Sequence, residues 1–294
     1  MRNPLAAQRR LGTALLNLRL DRGWSHAKLA READVSASVI SRIENPFSDI
    51  TRRPAVPAVR LLLAALGVPE GSAEYRTIEQ HAEHAAGRGW WDWPRYARMG
   101  AGQEQYAIVE AGTAAIDEYG GLFLPGLVQT AAYARHRAMV APEAAPEAAK
   151  LDLDAIVAGR MERQRILDGA TYRLIVEEPA IRRRSVPPAV MLAQLEHLLA
   201  LAERPTVSVR IVPVDADLGE GPVPRAPFGH MTYPDRDDPQ IVIVDNVNRA
   251  LLVTDDDEVK GYAQLHQRLR DAALSDADSA AIIRKVADAL ATAI

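Results

Sequence analysis

The sequence predicts a multidomain chain, an all-α N-terminal domain followed by an α+β C-terminal domain. Three observations carry this. Through residue 70 the apolar residues recur at three- and four-residue spacing, the period of helices. From residue 103 onward, short alternating apolar runs mix with helical patterns, the mark of strands among helices. Between them stands Gly87-Arg88-Gly89-Trp90-Trp91-Asp92-Trp93-Pro94, which interrupts both patterns. A chain of 294 residues also exceeds one ordinary domain. The expected boundaries are a head at 1–70, a helical, Trp-rich connector at 71–102, and a body at 103–294.

The head follows element by element. Leu11, Ala14, Leu15 and Leu18 form one face of a first helix, which Gly23 stops. Arg9 and Arg10 are expected just before it. Ser25 is placed to cap a second helix whose Leu29, Ala30 and Ala33 point inward. Val35 packs in a tight turn. Ser36 caps a third helix with Val39, Ile40 and Ile43 as its buried stripe. Ala37, Ser38, Ser41 and Arg42 are left facing outward. A further helix carries Val59, Leu62, Leu63 and Leu66 and ends at Gly67-Val68-Pro69.

The third helix has the chemistry to enter a DNA major groove. It has a serine cap, little bulk on its first turn, and a cation within reach of a base edge. This whole stretch resembles the helix-turn-helix domain of lambda-repressor-like, Xre-type regulators. The residues that carry the likeness are Leu18-Arg19, Gly23-Trp24-Ser25, Leu29-Ala30, Val35-Ser36, Val39-Ile40-Ser41-Arg42-Ile43-Glu44 and Leu66-Gly67. The resemblance implies double-stranded DNA as partner. It puts base reading on Ala37, Ser38 and Arg42, and phosphate contacts on His26, Ser36 and Asn45, with Ser41 on the same outward face. Two departures stand out. His26 occupies a position where the family usually has Gln, and Asp34 stands in the turn where it usually has Gly. Asp tolerates the left-handed conformation that turn requires. The segment Pro46 to Pro57 is also longer than usual before the next helix.

Charge agrees with a DNA-facing head. The chain has 35 Lys and Arg against 39 Asp and Glu, a net of -4. Residues 1–68, however, hold 11 basic and 5 acidic residues, leaving the excess of acid to the remainder. An acidic body repels DNA and helps orient a basic head. There are no cysteines, which excludes disulfides, thiol catalysis and thiolate metal sites. No apolar run is long enough to span a membrane and no signal-peptide core opens the chain, so no membrane partner and a cytoplasmic location are expected.

Beyond the head, residues 72–86 read as a helix with Tyr75, Ile78, Ala82 and Ala85 on one side. Three tryptophans at 90, 91 and 93 suggest a buried hinge. The body then predicts a helix at 103–111, a strand at 114–119, and a segment 122–130 leading into a helix through Tyr133. An exposed Ala-Pro-Glu loop at 141–147 follows, then a long helix at 148–167 with Ile156, Met161 and Ile166-Leu167. Strands are expected at 172–177, 206–213, 228–233, 241–246 and 250–254. Ile241-Val242-Ile243-Val244, apolar on both faces, reads as the central strand. Helices at 189–202, 256–273 and 276–292 complete the body. Ser275 with Asp278 resembles a capping box.

The body, too, resembles a family. Phe123-Leu-Pro-Gly-Leu-Val-Gln-Thr130 with Tyr133-Ala134-Arg135, Arg163-Gln164 with Ile166-Leu167, Glu177-Glu178 with Ile181-Arg182-Arg183, Met191 with Gln194-Leu195, and Ala273-Leu274-Ser275 with Asp278-Ser279 are similar to the C-terminal domain of actinobacterial Xre-type regulators. Those proteins are described as antitoxin-like and are often encoded beside a small partner protein. The resemblance implies a regulator and brings no catalytic residues. The family's usual glycine after the basic cluster is absent, where Ser185-Val186-Pro187-Pro188 stands.

Other constellations are weaker. His81 and His84 share a helix face without a third convergent ligand. Asp255-Asp256-Asp257-Glu258 suits the positive end of a helix better than a metal. No hydrolase elbow, nucleotide loop or zinc-protease motif occurs. The reading is therefore a sequence-specific transcription regulator and not an enzyme. It is expected to act as a homodimer, with a body that senses a small partner protein encoded nearby or a ligand, and without cofactor or metal. The alternative is an enzyme or metabolite-binding body that the head localises on DNA. A deep pocket with strongly perturbed carboxylates would discriminate the two.

Overall fold

In the computed structural model, which describes residues 3–139, 152–236, 238–245 and 250–293, Asn3 caps the first helix. Its side chain accepts hydrogen bonds from the Leu5 and Ala6 amides at 2.7 and 3.1 Å. Helix α1 thus runs Pro4–Asp21, and Arg9 and Arg10 lie within it instead of preceding it. Pro4 fits the first turn because no partner for its missing N–H is needed there. The Ala-Pro-Glu loop expected at 141–147 lies outside the described residues, as does Asn246.

The chain divides into two compact units, Met1–Asp92 and Trp93–Ile294. The first is all helical: α1, α2 (His26–Ala33), α3 (Ala37–Glu44), α4 (Val56–Ala65) and α5 (Ala73–Ala85), with a short 3₁₀ turn at Pro46–Ser48. Three of these helices end the same way. Gly23, Asp34 and Gly67 adopt φ of 62°, 52° and 62°. The next residue's amide then reaches back to Arg19, Ala30 or Leu63 at 3.0–3.1 Å, closing the last turn. Asp34 is the only described non-glycine residue at positive φ, where the sequence reading put a left-handed turn. The core gathers Leu11 and Leu15 of α1, Leu29, Ile40, Ile43, and Leu62 and Leu63 of α4. Helix α5, which the sequence reading set with the connector, adds Tyr75, Ile78, Ala82 and Ala85 to that same core.

The tryptophans of the connector differ in environment. Trp91 is buried, its ring lying over Gly89, where a Cβ would come within 2.4 Å. Trp93, by contrast, is half exposed and stacks on Tyr96.

The second unit is α+β, built on a mixed six-stranded sheet of order β3-β2-β1-β4-β5-β6. The strands are β1 (Ala115–Gly120), β2 (Thr171–Glu177), β3 (Val207–Val212), β4 (Phe228–Thr232), β5 (Ile241–Val244) and β6 (Leu251–Val253). β1, β2 and β3 run parallel, and the other three are antiparallel to their neighbours. The parallel pairs need crossovers. These are α7 (Ala131–Met139) and α8 (Leu153–Arg163), then α9 (Glu178–Arg182) and α10 (Pro188–Ala202). α6 (Ala101–Glu110) precedes the sheet; α11 (Asp256–Ala272) and α12 (Asp276–Ala293) follow it.

Two expectations are corrected here. β5 is interior, but the centre of the sheet is β1 beside β4. β1 reads Ala-Ile-Asp-Glu-Tyr-Gly, and its polar look concealed its position. The long helix of 148–167 is also shorter, because α8 ends at Arg163 and a 3₁₀ turn continues to Asp168. Its buried positions are Ala155, Val157, Gly159, Arg163 and Leu167, whereas Ile156, Met161 and Ile166 are half-buried.

On one face of the sheet, Tyr119, Ile175, Phe228 and Val242 pack with Val259 and Leu269 of α11. The β3 edge is closed by the start of α12. The Ile211 amide donates to Ser279 Oγ at 3.0 Å, and Ile211 O accepts from the Leu274 amide at 2.9 Å. The Ser275 hydroxyl caps α12 by accepting from the Asp278 amide at 3.1 Å.

Candidate nucleic-acid interface

The outward face of α3 is set by its cap and its stripe. Ser36 adopts an extended conformation, and its Oγ accepts from the Val39 amide at 3.4 Å. Ile40 and Ile43 are buried below. With 3.6 residues per turn, Ala37, Ser38 and Ser41 are then forced outward, and all three are exposed. Arg42 is half-buried at the edge of this face and has neither a hydrogen bond nor an ion pair among the described residues. Asn45 follows as an exposed C-cap. The structure therefore brings Ser36, Ala37, Ser38, Ser41, Arg42 and Asn45 onto one exposed surface.

His26 belongs to a different arrangement. Its Nε2 lies 2.8 Å from Glu44 Oε2. The same carboxylate takes two hydrogen bonds from Arg19, Nε to Oε1 at 2.7 Å and Nη2 to Oε2 at 2.6 Å. Arg19 Nη1 donates further to Trp24 O at 2.7 Å. One carboxylate thus ties α1, α2, the turn between them and α3. Burial opposes the charge on Glu44, yet the bonds from Arg19 and His26 outweigh it and hold its carboxyl below the usual range. The hydrogen bond to Glu44 likewise raises Arg19 above an ordinary guanidinium. Since Nε2 is committed to Glu44, only the other edge of the His26 ring remains to meet a phosphate.

This network was absent from the sequence reading, though a signal existed. Arg19 lies four residues after Leu15 and eight after Leu11, on the buried side of α1. A cation at such a position needs a buried anion. Lys28 also has a role unseen in sequence, its ammonium resting 4.8 Å from the centre of the Trp24 ring.

The body also holds charged groups inside. Arg163 and Glu110 form a fully buried bidentate pair, Nε–Oε2 at 2.8 Å and Nη2–Oε1 at 2.6 Å. The Arg163 guanidinium also lies 4.4 Å from the Tyr106 ring centre and donates to Gln103 at 2.6 Å. Glu118, pointing from the centre of the sheet, bonds the Tyr172 hydroxyl. Burial pushes the Glu118 carboxyl up to about 7. Its neighbour Asp117 faces the other way and meets Arg173. Burial opposes its charge too, but His230, 3.7 Å away, and Arg173 outweigh burial and hold it well below the usual range.

The remaining body signatures brace one segment. Gln164 Nε2 donates to Gln129 O at 2.6 Å and Gly126 O at 3.0 Å. From the other side, Gln194 donates to Val128 O and accepts from the Thr130 amide, both at 2.7 Å. Gln129 itself accepts from Arg160 at 2.7 Å. The side chains at 129, 164 and 194 therefore act as a polar clasp around residues 124–130. The paired glutamates 177 and 178 divide between Tyr119, and Arg182 with the Val214 amide.

Among the described residues there is no group of three His, Asp or Glu side chains able to hold a metal, and no helix long and apolar enough to cross a membrane. Residues 10–74 match a helix-turn-helix domain family. Residues 103–285 match a family described as a domain of unknown function, DUF5753. Comparison with curated proteins and with solved structures returns no match.

Proposed function

The chain belongs to the family that shares the DUF5753 domain, and on that premise, with a DNA-binding helix-turn-helix head ahead of it, we propose a sequence-specific transcription regulator of Xre type. The observation that carries this reading is the exposed face of α3. Small side chains at 37, 38 and 41 leave room for the floor of the groove, and Arg42 is a cation with no partner among the described residues. In this reading Arg42 takes guanine O6 and N7, Ala37 meets a thymine methyl, and Ser38 and Ser41 bond base edges or bridging water. Ser36, Asn45 and the free edge of His26 meet phosphates.

Two heads in a homodimer would span half-sites about 34–36 Å apart. The body is the proposed platform, since one sheet edge is closed by Ser279 while the other ends on β6 with Leu251 exposed. The body also receives the signal, a small partner protein encoded nearby, in an antitoxin-like pairing. That assignment draws support from the likeness of residues 103–285 to regulators of that kind.

An enzymatic body is the competing reading, and Glu118 is its best support, since a carboxyl near 7 suits proton transfer. The cluster's own bonding favours a structural role. Glu118 is engaged by Tyr172, Glu110 by Arg163, and Asp245 by Tyr106.

The test is a titration of intact protein against duplexes from its own locus, at several salt concentrations. A specific complex should weaken steeply with salt. Arg42→Ala should cost about 1–3 kcal/mol and relax preference at one base pair. If every duplex binds alike, or none binds, the reading fails. A monomer by sedimentation, free and on DNA, would remove the dimer.

A further inference from the structure

A cavity of about 110 Å³ opens in the helical unit between α1, the end of α3 and the segment before α4. Its walls are mainly apolar, formed by Leu11, Val39, Ile43 and Pro54. Three arginines, Arg42, Arg52 and Arg53, line it, and no carboxylate does. Arg53 is paired with Asp92 at 2.5 Å and Arg52 with Asp49 at 3.1 Å, so Arg42 is the cation left uncompensated. Gln8 also lines the cavity. It is 4% exposed, and its Oε1 has no hydrogen-bond partner among the described residues. A buried carbonyl oxygen without a donor is costly, and such an atom marks a place where something else supplies the donor.

We propose that this cavity binds a small organic acid with a compact apolar body, an anionic group and a hydroxyl. The anion faces Arg42 and Arg52, the apolar body lies against Leu11, Val39 and Ile43, and the hydroxyl donates to Gln8 Oε1. The longer stretch between α3 and α4 builds the outer wall, with Ile50, 2% exposed, anchoring it to the unit. Because Arg42 and Val39 belong to α3, the acid and DNA use the same guanidinium and compete for it. That coupling rests on α3 being the reading helix; the binding itself does not.

The experiment uses intact protein and three probes: 4-hydroxybenzoate, benzoate and 4-hydroxybenzyl alcohol. Calorimetry should show 4-hydroxybenzoate binding best, benzoate more weakly for lack of the donor, and the uncharged alcohol least. Arg42→Ala and the cavity-filling Ala55→Phe should each weaken 4-hydroxybenzoate by tenfold or more, while circular dichroism verifies that both variants fold. Gln8→Leu should erase the preference for 4-hydroxybenzoate over benzoate. Saturating acid should weaken DNA binding, and DNA should weaken acid binding by the same factor, as linkage requires. If no probe binds at millimolar concentration, or if binding ignores Ala55→Phe, the site is wrong. Acid binding with the expected variant pattern but without any DNA complex would uphold the pocket and overturn the DNA reading. DNA binding indifferent to bound acid would overturn the competition.

Discussion

Arg19 and Glu44, 25 residues apart in sequence, face each other through two parallel hydrogen bonds of 2.7 and 2.6 Å, with side chains 9% and 5% exposed. The pair joins the first helix to the last turn of the third. Removing one partner leaves a buried charge. Arg19→Ala or Glu44→Ala should therefore destabilise the head by about 3 kcal/mol, and the double replacement Arg19→Met with Glu44→Leu should recover much of that loss. Because the Glu44 carboxyl is held below the usual range, its contribution is present above an ordinary carboxylate pKa and fades as acid protonates it. Denaturant melts followed by tryptophan fluorescence, at neutral and acid pH, measure both effects. Equal stability of the single and double variants would contradict the pairing.

Asp34 pays for its backbone. With φ at 52° it occupies a region that suits glycine better. Asp34→Gly should raise stability by up to about 1 kcal/mol, and Asp34→Val should lower it by at least as much. The midpoint of thermal unfolding reads the order directly. A stabilised valine variant would show that the turn does not need this conformation.

Gly12 lets α1 and α3 touch. A Cβ there would fall 2.4 Å from the carbonyl oxygen of Ile43, which is backbone and cannot swing aside. Gly12→Ala should force the two helices apart at a cost of about 1–3 kcal/mol. The displacement also moves α3, so DNA affinity should drop even though residue 12 is remote from the exposed face. Affinity and melting temperature together test this, and an unchanged value of both would refute it.

Glu118 should shape stability in the opposite sense from Glu44. Its carboxyl titrates near 7 in the folded chain and near 4.5 when exposed, so the folded state holds the extra proton between those values. Stability from this group is greatest below about 4.5, falls as pH rises toward about 7, and is level above that. Glu118→Gln, which stays neutral, should flatten that slope relative to the parent chain. Urea midpoints across the window provide the comparison, and identical slopes would show that Glu118 is charged throughout.

What the sequence alone determined is local. The stripes at 11, 15, 29, 40, 43, 59, 62 and 63, the serine caps at 25, 36 and 275, and the stops at 23, 34 and 67 lay in spacing and residue type. Each depends on neighbours within one or two turns. Strand positions were legible for the same reason, since alternation is a property of the strand itself. Tertiary structure decided the rest. β1 carries two carboxylates and still occupies the centre of the sheet, because Arg173, from the neighbouring strand, compensates one and Tyr172, from the same strand, bonds the other. Arg163, the last residue of α8, turns its side chain inward to Glu110. The Arg19–Glu44–His26 network, the clasp of glutamines 129, 164 and 194, and the cavity beside Arg42 all join residues distant along the chain. A periodicity cannot specify which buried charge will meet which, because that choice is made by the packing of whole elements, where an unpaired buried charge costs far more than a paired one.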